Sequence, residues 1–425
     1  MSIYLNTFKN PYKRVHSPGN LWQAWRHVRD NGFRSKSSET IDLVKEFDAD
    51  APARIDRINV DLRQKRFVFP PSHGIIQTKK SGGKRPIVVS PIDSRVVQRA
   101  ILNVLQISRA LQIIFKNPFS FGGIENRGVP DAISAVMYAI RSGCTHYITS
   151  DISDFFRNIP KDKVLQTIQS VYNHDQFMDI LIKATDVELE NMTQLGADST
   201  YFDFHEVGVA QGCCLSPFFG NILLKDFDIK LNKNGIFCFR YIDDFIILGP
   251  TQRAVDTAFS KALVMLDKLK LSAYSPNDGT GKSIRGRVNE GITLLGCSVL
   301  NNQIMPSSKN CKKLQTDIET IFNSSISTLA NPIDAAENNQ TMIDALIRAK
   351  NVLKGWGNTY AFCNHKKTLR QLDQKITELK RSYMQKCMSM RSRYLENNQH
   401  EDSRRVLGVQ LLVDTKTKDL PQWQP

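Results

Sequence analysis

The 425-residue sequence predicts an α+β fold with helices and a hairpin first, a mixed middle segment, and a basic helical end. Three observations carry this prediction. Apolar residues recur at helical spacing through residues 19–70, and two β-prone runs flank the Gly82-Gly83 pair. From Ser307 onward the pattern is helical and polar. The apolar fraction of 41% is typical of an ordinary soluble protein.

The elements of the first half follow from local patterns. Residues 19–70 are predicted to be helical, with a break at Pro70-Pro71. The runs Ile75–Thr78 and Pro86–Val89 predict a hairpin with a basic tip. A single helix is expected from about Ser94 to Phe115, because apolar residues repeat there at helical spacing.

The middle segment predicts a sheet. The run Thr145–Ile152 is β-prone and ends in an acid, and Ile236–Leu248 forms two apolar runs around Ile-Asp-Asp. A strongly periodic helix is expected over Ala254–Leu271, and Ile292–Val299 is interpreted as one further strand. These strands and helices make the middle of the chain α+β.

The charge is unusual and unevenly placed. The chain has 57 basic and 42 acidic residues, a net charge of +15 and a pI of about 9.4. Between Arg348 and Arg393 there are 12 basic residues against two acids, and between Arg54 and Arg85 nine against two. One such run alone is more often a solvated helix face. Two basic regions around a more neutral middle favour the walls of a nucleic-acid channel.

Other classes of protein are not indicated. No apolar run approaches the roughly 18 residues that a membrane span needs, and the N-terminus has no secretory apolar core. The eight cysteines show no CxxC spacing, so reduced thiols in a cytoplasmic protein are expected, with no membrane partner.

The adjacent acids Asp243 and Asp244 require an explanation. A hairpin turn by itself can favour Asp, for its conformational tolerance and local hydrogen bonds. The flanking apolar runs, however, put this turn at the edge of a buried sheet, where adjacent carboxylates repel unless a cation neutralises them. Asp151 ends a β-prone run in the same way, so neighbouring strands would bring it to Asp243. Such an oxygen-rich site suits Mg²⁺.

Further motifs fall in order around this turn. They are Leu21–Trp25 with Asn31-Gly32, Gly83–Ile87, Asp93–Gln98, Asp151–Phe156, Ala210–Gly212 with Leu215–Pro217 and Asn221-Ile222, Tyr241–Asp244, Leu294–Gly296, and Gly355–Asn358 with Tyr360. With these motifs the chain resembles the bacterial reverse transcriptases related to group II intron proteins, over roughly residues 20–362. The resemblance implies a right-hand polymerase with fingers, a palm built on a split βαβ sheet, and a helical thumb.

The resemblance also implies a domain organisation. Residues 1–60 would be an N-terminal helical extension and residues 61–140 the fingers. Residues 141–300 would be the palm, with a fingers-like helical insertion at about 161–206. Residues 301–425 would be the helical basic thumb.

The same resemblance implies roles in the site. Asp151, Asp243 and Asp244 would be the catalytic carboxylates and, with Ile152, would hold two Mg²⁺ ions. The nucleotide contacts would be Lys84, Arg85, Phe156 and Gln211. Phe156 would exclude a 2′-hydroxyl and so favour deoxynucleotides; without the motif, a core aromatic is equally plausible for it.

Nucleic-acid contacts are expected in both halves of the chain. The candidates are Arg95, Gly212, Gly296, Arg348, Lys350 and Lys354. The last three precede Trp356 at near-helical spacing, and a helical thumb would recognise the shape of an A-form-like duplex. Lys282 is placed either near the triphosphate or in a solvated loop, and Trp356 is interpreted as a core residue rather than a stacking platform.

The resemblance is strongest to stand-alone, unknown-group reverse transcriptases associated with anti-phage defence, since no zinc-finger, nuclease, RNase H-like or integrase block follows the thumb motif. That class implies a bacterial host, dNTP substrates, a cDNA product and a dedicated non-coding RNA as template. Two alternatives remain: an RNA-dependent RNA polymerase, against which Phe156 argues, and a non-catalytic RNA chaperone like an intron maturase, against which the complete acidic set argues.

Overall fold

The computed structural model describes residues 10–35, 37–78, 83–204, 206–276 and 278–415. The chain divides into two compact units, Met1–Val288 and Asn289–Pro425. Each unit has a buried apolar cluster of its own. Among the described residues, no helix is long and apolar enough to cross a membrane.

The first unit begins with helices that bury one apolar face each. They are α1 (Pro11–Val15), α2 (Pro18–Phe33), α3 (Ser38–Ala49) and α4 (Ala51–Arg63). Trp25 on α2 stacks on Phe47 on α3, with ring centroids 4.3 Å apart. The helical prediction for this region is confirmed up to Arg63 and is wrong for residues 64–70, which form a turn with Lys65 at a φ of 59° and then an irregular segment.

The predicted hairpin is present. Strand β1 (His73–Thr78) pairs antiparallel with β2 (Lys84–Val89), and Thr78 lies opposite Lys84. The predicted basic tip at residues 79–82 lies outside the described residues.

The single helix predicted from Ser94 to Phe115 is wrong in its extent. Helix α5 (Ile92–Gln106) ends earlier, and a separate helix α6 (Gln112–Lys116) follows. The hydroxyl of Tyr172, distant in sequence, donates to the carbonyl oxygen of Val104 at 2.9 Å, and the Ser108 amide bonds to Leu105 instead. A long-range hydrogen bond therefore coincides with the helix end, which apolar spacing alone cannot show.

The remaining helices of this unit surround the sheet. They are α7 (Val129–Arg141), α8 (Lys161–Val171), α9 (Asp175–Thr185), α10 (Met192–Leu195), α11 (Ser216–Leu223), α12 (Lys225–Leu231) and α13 (Gln252–Asp267). Two 3-10 helices, Phe155–Asn158 and Gly196–Phe202, lie between them. The periodic helix predicted over Ala254–Leu271 is α13, which begins two residues earlier and ends four residues earlier.

The sheet of the first unit has four antiparallel strands in the order β4-β5-β3-β6. They are β3 (His146–Asp151), β4 (Phe237–Tyr241), β5 (Asp244–Gly249) and β6 (Ile284–Arg287). The central strands β3 and β5 are buried along nearly their whole length, β5 with apolar side chains and β3 also with Thr149 and Ser150. Strand β3, which ends at Asp151, pairs with β5, which begins at Asp244, so the condition for bringing these acids together is met.

The second unit begins with a small sheet and continues as helices. Its elements are β7 (Ile292–Leu294), β8 (Cys297–Leu300), β9 (Gln303–Pro306), α14 (Ser308–Thr328), α15 (Pro332–Glu337), α16 (Met342–Thr359), α17 (Lys366–Glu396) and α18 (His400–Leu407). The single strand predicted over Ile292–Val299 is wrong. The chain reverses at Leu295 and Gly296, whose φ angles are 50° and 78°, and this two-residue turn separates β7 from β8.

Candidate active site

The sheet brings the three predicted carboxylates together. Asp151, the last residue of β3, lies directly opposite Asp244, the first residue of β5. Asp243 is in the two-residue turn that joins β4 to β5, and its carbonyl oxygen accepts the amide of Ile152 at 3.0 Å. Directly opposite residues in an antiparallel pair have their β-carbons within about 5.5 Å of each other. The register therefore places all three acids at one edge of the sheet.

Burial raises the pKa of two of these acids, Asp243 and Asp244. Burial raises the pKa of Asp243, while Arg85 and a hydrogen bond with Asp151 oppose the rise. For Asp244, removal from bulk water and the charges of Asp243 and Asp151 raise the pKa from 3.8 to about 7. The Asp244 side chain still has an open face to solvent. A cation at this edge would relieve the repulsion between the carboxylates.

The turn that carries Asp243 has an unusual conformation. Ile242 has a φ of 62°, and Asp243 does not share this positive φ, which is the pattern of a type II′ turn that favours glycine at its first position. A β-branched residue is a genuine outlier there. The backbone of Gly122 packs against the turn, and a β-carbon on it would collide with the Ile242 side chain and lie 2.7 Å from the Ile242 amide nitrogen.

Both predicted triphosphate contacts lie at the start of β2 and are exposed. The amino group of Lys84 is 2.5 Å from the Asp198 carboxylate and 5.9 Å from the ring centre of Tyr201. Arg85 is close enough to Asp243 to lower its pKa. The structure therefore places the Arg85 charge within electrostatic reach of Asp243 and pairs Lys84 with an acid of the Gly196–Phe202 helix.

Phe156 and the Gln211–Gly212 loop are fixed by backbone contacts. The Phe156 carbonyl accepts the amide of Val209 at 2.7 Å, and its half-buried ring lies 5.4 Å from that of the fully buried Phe155. The Gln211 carbonyl accepts the amide of Val88 on β2 at 2.8 Å. Gly212 has a φ of 120°, and a β-carbon there would collide with the Val88 carbonyl oxygen.

Lys282 is linked to Asp151 through Tyr274. Its amino group donates to the Tyr274 hydroxyl at 2.7 Å and lies 4.0 Å from the centre of that ring. The Tyr274 amide in turn donates to the Asp151 carbonyl oxygen at 3.2 Å. Hydrogen bonding to Tyr274 raises the pKa of Lys282, and the charges of Asp151 and Asp154 add to the rise. The lysine is therefore a charged group within electrostatic reach of the carboxylates.

The other nucleic-acid candidates have different surroundings. Arg95 donates through Nε to the Ser90 carbonyl at 2.6 Å, and burial lowers the pKa of its guanidinium. Gly296 lies in the β7–β8 turn rather than in a strand, and its carbonyl accepts the Asn310 side-chain amide at 3.1 Å. Arg348 is half-buried and bonds to Gln340.

The three thumb candidates therefore do not share one face of α16. The lysines Lys350 and Lys354 are exposed, while the Arg348 side chain packs inside the second unit. Trp356 is half-buried against the apolar cluster of that unit, in line with its interpretation as a core residue.

Several residues that shape the site carry no local signal in the sequence. Asp198, Tyr274 and Gly122 contact the predicted residues only through the fold. Arg240 did carry a signal in the sequence, since it is a charged residue inside the apolar run Phe237–Tyr241.

The donor set suits a hard divalent cation. Carboxylate oxygens are the ligands that Mg²⁺ prefers, and Mg²⁺ usually binds through one or two carboxylates together with waters and substrate phosphates. In the described part of the chain, no three His, Cys, Asp or Glu side chains form a group that could hold a metal ion by themselves. Waters and substrate phosphates would therefore have to complete the coordination. The repulsion of the Asp244 carboxylate by Asp243 and Asp151 is the observation that fits a cation here.

The first unit thus carries three carboxylates at one end of an antiparallel sheet, an arrangement of the kind that two-metal nucleotide-transferring enzymes use. Residues 77–274 match the family described as "Reverse transcriptase (RNA-dependent DNA polymerase)", a little under half of the chain. This match confirms the predicted right-hand polymerase fold class and supports the predicted enzyme class, an RNA-directed DNA polymerase.

Curated relatives match parts of the chain. It is 30% identical over 174 residues to the "Uncharacterized 91 kDa protein in cob intron" of Schizosaccharomyces pombe, covering 41% of this chain and 20% of that protein. It is 23% identical over 319 residues to the "Putative COX1/OXI3 intron 2 protein" of Saccharomyces cerevisiae, covering 71% and 34%. The chain thus spans about a fifth to a third of the length of these relatives. The reverse transcriptase segment is homologous to proteins encoded in mitochondrial introns.

Two solved structures are also similar. The chain aligns with telomerase from Candida albicans in complex with a telomeric RNA fragment at a TM-score of 0.42 and 14% identity, covering 82% of this chain and 65% of that one. It aligns with apo telomerase from Candida tropicalis at a TM-score of 0.38 and 12% identity, covering 56% and 55%.

Proposed function

We propose that the whole chain is a reverse transcriptase that adds dNTPs to a primer 3′-hydroxyl on an RNA template. The observation that carries this proposal is the pairing of Asp151 with Asp244 across adjacent strands, with Asp243 on the turn beside them. Two Mg²⁺ ions held by Asp151, Asp243, Asp244 and the backbone at Ile152 would activate the hydroxyl and stabilise the leaving pyrophosphate.

The chain's own side chains would position the nucleotide. The charge of Arg85 lowers the pKa of Asp243, and this side chain would donate to the triphosphate through its planar fork, with Lys84 as a second charge. Lys84 has to leave Asp198 before it binds phosphate; the pair is partly exposed, and such pairs contribute little to stability. Phe156 would lie under the sugar, and Gln211 and Gly212 would contact the nascent base pair and template.

The second unit would bind nucleic acid through its cationic helices. Lys350 and Lys354 are exposed on α16. The exposed basic residues of α17 are Lys366, Lys367, Arg370, Lys375, Lys380, Arg381, Lys386 and Arg393. Phosphate neutralisation by such residues is independent of sequence and sensitive to salt. In this proposal residues 301–425 act as the thumb, residues 61–140 as fingers and residues 141–300 as palm.

The biological role in the proposal is bacterial anti-phage defence with a dedicated non-coding RNA as template, in the cytoplasm. It is supported by the resemblance of the motifs to stand-alone reverse transcriptases. The homology to intron proteins is the observation in favour of the alternative, an RNA-binding protein that acts without polymerisation.

Purified protein is expected to extend a primer annealed to an RNA template with dNTPs, and chelation of divalent metal should stop the reaction. The RNA that copurifies, and the cDNA made from it, should be sequenced. One dominant RNA would support the dedicated template, and random cellular RNA would contradict it. Extension with NTPs in place of dNTPs would favour the RNA polymerase, and RNA binding without extension would favour the maturase-like protein.

Mg²⁺ is expected to raise the melting temperature by about 2–4 °C more at about pH 8 than at about pH 6. The folded-state pKa of Asp244, about 7, exceeds the ordinary 3.8. Its contribution to the free energy of unfolding is therefore largest at low pH and is lost as the pH rises through about 7. A bound cation offsets that loss. Thermal melts with Mg²⁺ or with EDTA measure the difference.

The control for this measurement is the double variant Asp243→Asn, Asp244→Asn, which removes the repelling charges. It should show neither the Mg²⁺-dependent shift nor its pH dependence. An equal Mg²⁺ shift in the double variant would mean that the cation binds elsewhere.

A further inference from the structure

Arg240 is a charged residue at the centre of an apolar strand. It lies on β4 between the buried Phe239 and the turn, and its side chain and that of Asp228 on α12 are each only 1% exposed. Removing two charges from water is costly, and apolar side chains of similar volume often stabilise a fold equally well or better. The fold alone therefore gives no reason for an ion pair at this position.

The guanidinium of Arg240 uses all three of its nitrogens. Nε and Nη2 donate to the two carboxylate oxygens of Asp228 at 2.7 and 2.6 Å. The second N–H of Nη2 is shared between Ser120 Oγ and Asn221 Oδ1, both 2.9 Å away. Nη1 donates to the carbonyl oxygen of Ile242 at 2.8 Å. One guanidinium thus links a helix carboxylate to the turn that precedes Asp243.

The partners of Arg240 are themselves held. Asn117 donates to the second oxygen of Asp228 at 3.0 Å, and Asn221 donates to the Gly122 carbonyl at 3.0 Å. The backbone of Arg240 bonds to the backbone of Phe119 and Phe121 at 2.9 Å, so the loop of residues 117–122 lies alongside β4. The guanidinium is therefore fixed from α11, α12 and this loop together.

The contact with Ile242 is the informative one. A non-glycine residue in the left-handed region costs about 1–3 kcal/mol and persists only where its surroundings determine it. The Ile242 carbonyl and the Asp243 amide belong to the same planar peptide group. The orientation of this carbonyl therefore fixes the backbone direction at which Asp243 begins. Arg240 supplies a charged donor to this carbonyl at 2.8 Å. Gly122 leaves room for the Ile242 side chain on the other side.

We propose that Arg240, held by Asp228, is a positioning residue that fixes the Ile242–Asp243 peptide and thereby aims the Asp243 carboxylate into the candidate metal site. This inference rests on the proposed role of Asp243. It explains why a charge is buried in the strand next to the acids. Arg240 acts through the turn and does not itself contact substrate.

The test uses the full chain with Arg240→Met, Asp228→Leu and the two substitutions combined. Each single variant leaves one buried charge without its partner and should be strongly destabilised. The double variant replaces both charges with apolar groups and should recover most of the melting temperature. Its kcat for dNTP addition should still be lower by roughly 10- to 100-fold, because small misplacements of a reacting group are that costly.

The readouts separate positioning from folding. The KM for dNTP and the Kd for template–primer should stay within about twofold of wild type, while the Mg²⁺ concentration for half-maximal rate should rise. Lys161→Met is the matched control, because Lys161 is a buried lysine that pairs with Asp186 at 3.3 Å, away from the turn. It should lower stability and leave kcat unchanged.

Two outcomes decide the inference. A double variant that is as stable as wild type and polymerises within about twofold of it would overturn the positioning role. A stable double variant with a reduced kcat and an unchanged KM supports it. Failure of the wild-type chain itself to polymerise would instead contradict the proposed function, so the two failures are distinguishable.

Discussion

Replacing Asp243 with asparagine is expected to lower the rate of dNTP addition by on the order of 1,000-fold or more. The amide keeps the size of the side chain and removes the negative charge that a cation needs. Asp243 lies on the turn between β4 and β5, next to Asp151 and Asp244. Primer extension under single-turnover conditions, with the template–primer in place, measures this effect directly.

The stability of the Asp243→Asn variant should not fall together with its activity. Burial raises the pKa of Asp243, and its charge contributes to the raised pKa of Asp244. Removing the charge relieves repulsion, so the metal-free melting temperature should be unchanged or higher. If the variant is folded and inactive, the loss of activity is therefore due to the missing carboxylate charge and not to unfolding.

Asp226→Asn is the matched control for Asp243→Asn. Asp226 is an exposed acid of the same unit that pairs with Lys230 one helical turn away. This substitution should leave the extension rate unchanged, because exposed pairs contribute little. If Asp243→Asn retained wild-type activity as well, the catalytic interpretation of the carboxylates would be wrong.

Replacing Phe156 with alanine is expected to reduce the preference for dNTPs over NTPs by on the order of 100-fold. A steric clash with one substrate is an efficient way to discriminate between two close analogues. The backbone of Phe156 is held by its bond to Val209, and its half-buried ring packs against Phe155. We therefore expect no neighbouring side chain to fill the space when the ring is removed. The ratio of kcat/KM for dNTP and NTP measures the change.

The neighbouring Phe155 provides the control for this prediction. Its ring is fully buried, and a β-carbon on Gly220 would collide with it. Phe155→Leu should lower the melting temperature and leave the dNTP preference intact. An unchanged preference in Phe156→Ala would exclude Phe156 as the residue that reads the sugar and would leave it as a core aromatic.

Much of the sheet could be predicted from the sequence. The strand that ends at Asp151 and the two strands around Asp243 follow from short β-prone runs, which are local signals. The hairpin of β1 and β2 follows in the same way from two runs around a Gly-Gly turn. Because Asp151 and Asp244 stand at the ends of their strands, the pairing of β3 with β5 is enough to place them together.

The errors arose where a residue's conformation depends on a distant partner. The strand predicted over Ile292–Val299 is a hairpin, because Leu295 adopts a left-handed conformation that no local preference for leucine indicates. The helix from Ser94 stops at Gln106, where the hydroxyl of Tyr172 bonds to the helix carbonyl of Val104.

The sequence by itself determined the carboxylate pair, its strand-end partner and the excess of positive charge, because these depend on residue type and short-range spacing. Only the tertiary structure decided the pairing of Lys84 with Asp198, the contact of Lys282 with Tyr274 and the buried link from Asp228 through Arg240 to the turn. These contacts join residues from different elements. Their energy depends on burial and on angstrom-scale distances, which exist only once the chain has folded.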